Sequence, residues 1–125
     1  MARKILVVDD DPCTLHVLVS ALRRNGYDTV TAQDGTQAVM RAHREHPDAI
    51  LLDITMPGGD GCSVLKKLGG SAHTSHIPVI VITSSDDPDT EAKVPRGQTH
   101  SLIYKPFDLD RVLAHLAEAL EPASA

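Results

Sequence analysis

Three short runs of apolar residues, Ile5 to Val8 (ILVV), Ala49 to Leu52 (AILL) and Val79 to Ile82 (VIVI), carry no polar interruption. A strand with one face in water alternates apolar and polar side chains, so uninterrupted runs of this length point to strands buried on both faces. A weaker run, Leu102 to Tyr104, and a more polar segment, Asp28 to Ala32 (DTVTA), bring the set to five, the last suited to a sheet edge. Helical stripes fall between them. Leu15, Leu18, Val19 and Leu22 form one, and Leu109, Val112, Leu113, Leu116 and Leu120 form the clearest. Asp34 followed by Gln37 resembles a capping box opening a helix through Val39 and Ala42 that must stop before Pro47. Asp60 is placed to cap a short helix with Val64, Leu65 and Leu68 that ends at Gly69-Gly70. Strand and helix thus alternate five times, which predicts one doubly wound α/β domain: a parallel sheet, helices on both faces, right-handed crossovers.

A chain of 125 residues suits one such domain. Its formal net charge of −5, with Lys and Arg scattered, argues against direct nucleic-acid binding. Two cysteines, Cys13 and Cys62, are too few for a disulfide framework; there is no signal-peptide pattern and no apolar run of membrane-spanning length, so a cytoplasmic protein without membrane contact is expected. The domain is expected over residues 1–121, with 122–125 a tail or the start of a linker.

Ligands of open α/β sheets sit outside the carboxyl ends of the strands. There the first run ends on Asp9-Asp10, the third on Asp53, the fourth on Thr83-Ser84 and the fifth on Lys105. Ionised carboxylates about 4 Å apart repel by roughly 4 kcal/mol at an effective dielectric near 20, so such a cluster calls for a cation. Oxygen-only ligands suit a hard ion such as Mg²⁺, which binds through one or two carboxylates and keeps waters for a phosphate ligand. An aspartate can also attack phosphorus, and phosphoryl transfer asks mainly for positioning and charge neutralisation.

Other residues have simpler readings. Asp11 before Pro12 is an N-cap with proline in the first helical turn. His43 and His46 are three apart on a helix and His73 and His76 lie in a loop; with no further ligand in view they are read as solvated. Cys13 and Cys62 are read as small, partly buried residues.

The segments VVDDDP, LLDITMPGGDG, PVIVITS and YKPF, taken in order, resemble a response-regulator receiver domain of two-component signalling over about Lys4 to Leu120. The resemblance implies the flavodoxin-like strand order 2-1-3-4-5 and a phosphorylatable switch. Asp53 would accept a phosphoryl group from a sensor histidine kinase or a histidine phosphotransfer protein, and binding to a downstream protein target would change. Asp9, Asp10, Asp53 and the backbone carbonyl of Thr55 would bind Mg²⁺, or Mn²⁺ in its place. Lys105 and Thr83 would contact the phosphoryl oxygens, with Ser84 and Thr55 beside them. The protein would catalyse only its own phosphorylation and dephosphorylation, and the Lys105-Pro106 bond would be cis. Two departures stand out: Leu102 lies where receivers usually carry Tyr or Phe, with Tyr104 displaced, and Pro95 should leave the fourth helix short, ending near Val94, or irregular. Both fall on the usual output surface. The alternative is a small phosphatase of the haloacid-dehalogenase type with Asp9 as nucleophile, because VVDDDPCTL comes close to that family's signature; Cys13 stands where that motif prefers Thr.

Overall fold

The computed structural model describes residues 2–54, 61–83 and 99–120. In chain order they form β1 (Lys4–Val8), α1 (Pro12–Arg24), β2 (Asp28–Ala32), α2 (Gly35–Glu45), β3 (Ala49–Asp53), α3 (Gly61–Gly69), β4 (Val79–Thr83), β5 (Thr99–Tyr104) and a C-terminal helix (Leu109–Leu120). All four strand pairings are parallel and the sheet order is β2-β1-β3-β4-β5. This is the doubly wound, flavodoxin-like arrangement expected, with the polar DTVTA strand at one edge.

Side chains of a strand point alternately to opposite faces, so an all-apolar strand can feed two cores at once. On one face Leu6, Val8, Ile50, Leu52, Val79 and Val81 pack with Ala38 and Ala42 of α2 and Val64, Leu65 and Leu68 of α3. On the other, Ile5, Val7, Leu51, Ile80 and Ile82 pack with Leu15, Leu18 and Leu22 of α1 and Val112 and Leu116 of the C-terminal helix. The uninterrupted runs are the direct consequence of having helices on both sides.

Local chemistry sets the helix ends. The Asp11 carboxylate accepts from the Cys13 N–H at 3.1 Å and from the Thr14 hydroxyl at 2.8 Å, which starts α1. That hydroxyl, with the amide behind it, holds the Asp11 carboxyl below its ordinary range. Asp34 accepts from the Gln37 N–H at 2.8 Å. Gln37 reaches back one residue further than a standard capping box, to the Gln33 N–H at 3.1 Å. α2 stops at Glu45 because His46 turns left-handed (φ 49°) ahead of Pro47. At the end of α3 the buried Thr74 hydroxyl donates to the Leu68 carbonyl at 2.6 Å.

Four points differ from the sequence reading or fall outside it. β5 begins at Thr99, three residues before the apolar run, and its pairing skips His100 between Thr99 and Ser101. A strand at the sheet edge tolerates such polar residues, and the Ser101 hydroxyl is hydrogen-bonded to His115 Nδ1 at 2.9 Å. Cys13 is exposed, not partly buried, because it lies on the outer face of the first turn of α1. His46 caps α2 instead of lying within it, so it does not share a helical face with His43. Asp60, the fourth helix with Pro95, and the Cys62 side chain lie outside the described residues.

Candidate functional site

Parallel strands in this order bring the ends of β1, β3 and β4, and the residue after β5, to one rim. Asp9 follows β1 directly, and its N–H donates to the Ala32 carbonyl at 3.1 Å, continuing the pairing with β2. Its Oδ1 accepts from the Asp11 N–H at 2.9 Å, so the turn into α1 fixes the carboxylate. Asp53 is the last residue of β3, in register with Ile82 of β4. Lys105 follows β5, its N–H donating to the Thr83 carbonyl at 2.7 Å, and the Lys105-Pro106 bond is cis, as the resemblance implied.

The long lysine side chain crosses two strands to reach the acids. Lys105 Nζ lies 3.2 Å from Asp9 Oδ2 and 3.1 Å from Asp53 Oδ2. Asp9 is 2% exposed, Asp53 4% and Thr83 0%, whereas Asp10 is exposed. Buried carboxylates are costly unless paired, and here one ammonium serves two of them. Burial pushes the Asp9 carboxyl above its ordinary value; the Asp11 amide opposes this, the Asp53 charge adds to it, and Lys105 opposes it. For Lys105 burial acts downward, yet the hydrogen bonds and charges of Asp53 and Asp9 outweigh it and the ammonium is held above its ordinary value.

Asp9, Asp10 and Asp53 each offer a carboxylate oxygen, and these lie within 4.8 Å of one another. Three carboxylates against one ammonium leave a formal charge of −2, which a divalent ion would cancel. The donors are all oxygen, two are buried and one opens to solvent, which fits a hard ion that retains water. Thr55 and Ser84 lie outside the described residues, as does the usual position of an output helix. Leu102, the departure from the aromatic that receivers usually carry, is partly buried against the α2 and α3 core, while Tyr104 is 44% exposed. Two groups of the site left no trace in residue type: the Asp11 amide that orients Asp9 and the Thr83 carbonyl that anchors Lys105. Backbone donors and acceptors are present at every position, so sequence cannot single them out.

A sequence profile of the response regulator receiver domain matches residues 5–117, and the chain belongs to that family. It is 36% identical over 113 residues to Protein PilH of Pseudomonas aeruginosa, covering 90% of this chain and 93% of PilH. It is 39% identical over 108 residues to Response regulator PleD of Caulobacter vibrioides, covering 86% of this chain but 24% of PleD. Among solved structures it resembles chemotaxis response regulator CheY4 of Vibrio cholerae, with a TM-score of 0.87 and 25% identity over 96% of this chain and 100% of that one. It also resembles the receiver domain of a sensor histidine kinase from Pseudomonas aeruginosa, described with magnesium ion coordinated in the active site cleft. That match has a TM-score of 0.87 and 28% identity over 96% and 98% of the two chains. No helix among the described residues is long and apolar enough to cross a membrane.

Proposed function

We propose that Asp53 accepts a phosphoryl group from the phosphohistidine of a sensor histidine kinase or histidine phosphotransfer protein in the cytoplasm. An Asp53 oxygen bonds to phosphorus as the phosphorus–nitrogen bond to the imidazole breaks. The reading rests on one observation: Asp53, Asp9, Asp10 and Lys105, distant in sequence, share one rim with Lys105 bridging two buried carboxylates. Asp9, Asp10 and Asp53, with the Thr55 carbonyl, would hold Mg²⁺, or Mn²⁺ in its place, which when bound supplies positive charge to the phosphoryl oxygens. Lys105 exchanges its contact with Asp53 for one with a phosphoryl oxygen. Thr83, with Ser84 and Thr55 alongside, donates to the others. The change in charge at the rim alters binding to a downstream protein, and the protein acts on no separate substrate. Residues 1–121 constitute the receiver and 122–125 a tail or linker.

Asp9 suits a phosphatase nucleophile less well, because Oδ1 is held by the Asp11 amide and Oδ2 by Lys105. Incubation with Mg²⁺ and acetyl phosphate, read by intact mass, together with a phosphate ester, read by phosphate release, separates the two. One labile phosphoryl group on the wild type that is absent from Asp53→Asn is expected. Steady ester hydrolysis lost in Asp9→Asn would overturn the assignment, as would an Asp53→Asn variant labelled like the wild type.

A further inference from the structure

His43, His46, His73 and His76, read as solvated from sequence, lie along one boundary. α2 leads into the start of β3 and the segment after α3 leads into the start of β4, so both lie at the end of the sheet opposite the carboxylate rim. There the rings of His43 and His73 stand edge to face with centroids 6.3 Å apart. His46 and His76, each three residues further on, line one cavity of about 450 Å³. His43 is half-buried and His73 exposed, and neither imidazole has a hydrogen-bond partner among the described residues.

We propose that His43 and His73 form a second metal site, for a divalent transition ion of the Zn²⁺, Cu²⁺ or Ni²⁺ class, with water completing the coordination. Neutral imidazole is the preferred ligand of these ions, while Mg²⁺ prefers the oxygen donors at the other end of the sheet. With Zn–N bonds near 2.0–2.1 Å, two imidazoles sharing a tetrahedral ion place their centroids about 5 Å apart. The observed 6.3 Å is about one ångström longer, within reach of a rotamer adjustment by His73, which is exposed in a loop and makes no side-chain hydrogen bond among the described residues. The ion would clip the Ser71–Ile77 segment to α2.

The test titrates Zn²⁺ into the full chain carrying Asp10→Asn and Asp53→Asn, which removes competing carboxylates, by calorimetry. One bound ion per chain is expected. His43→Gln and His73→Gln should each weaken it by about tenfold or more, since even a change around a metal ligand costs that much, while His46→Gln and His76→Gln leave it unchanged. His73→Phe retains an edge-to-face ring pair; it should keep its zinc-free thermal midpoint and lose the ion. Absence of Zn²⁺ binding, binding that survives His43→Gln or His73→Gln, or binding lost through His46→Gln or His76→Gln would overturn the proposal.

Discussion

Asp9 is held by two neighbours and opposed by a third, and its titration reports the balance. Its carboxyl lies above the ordinary 3.8, chiefly because it is buried. Between that value and the raised one, the folded protein keeps a proton that the unfolded chain has released, so stability falls as pH rises through this window. In chelator-treated protein, Asp9→Asn removes that component. Its thermal midpoint should decline less than the wild type's as pH rises from about 4; parallel profiles would show that Asp9 is not the group responsible. Asp10, exposed at the same rim, gives a complementary test. Carboxylate oxygens within 4.8 Å repel by roughly 1 to 3.5 kcal/mol for effective dielectrics between 80 and 20, and exposure favours the lower figure. Metal-free Asp10→Asn should therefore be more stable than the wild type by about 1 kcal/mol in denaturant titration. It should also lose the response to Mg²⁺. Carboxylates gathered this closely work against the stability of the metal-free fold.

At the scale of elements, the start of α2 joins a cap to a close approach between helices. Asp34 satisfies the Gln37 amide, and Asp34→Ala should cost about 1 kcal/mol, read as a lower denaturation midpoint at constant slope. The next residue, Gly35, faces α3: a Cβ there would lie 2.9 Å from Val64 Cγ2. Alanine is ordinarily the better helix former by about 1 kcal/mol. Val64 is buried and β-branched, so it cannot swing aside cheaply, and Gly35→Ala should instead destabilise by about 1 kcal/mol. A gain in stability would mean that the α2–α3 contact is softer than the packing indicates. The helix stripes, the Asp11 and Asp34 caps and the stop before Pro47 were legible in sequence because they depend on residues within one turn of one another. The extent of β5 was not legible: Thr99 and Ser101 join the strand through pairing with β4, a partner about twenty residues earlier in the chain.

At the largest scale, the described sheet and helices form a sandwich with a core on each face, and ion binding at the rim should stabilise it as a unit. Mg²⁺ at a hundredfold excess over its dissociation constant adds about 2.7 kcal/mol if it binds the folded state alone, visible as a rise in thermal midpoint that chelation reverses. Truncating the fully buried Leu116, which ties the C-terminal helix to the sheet, should cost about 2 to 5 kcal/mol in denaturant titration. Sequence by itself determined where the five strands and the four described helices fall and which side chains end each strand, since both follow from local periodicity and from the residue at each chain position. It also carried the motifs by which the receiver fold and its acidic rim were expected. Tertiary structure decided how far Lys105 reaches, that Asp9 is clamped from both sides, and that His43 meets His73. These are distances between groups far apart along the chain, and they exist only once strand order and register have set where each element stands.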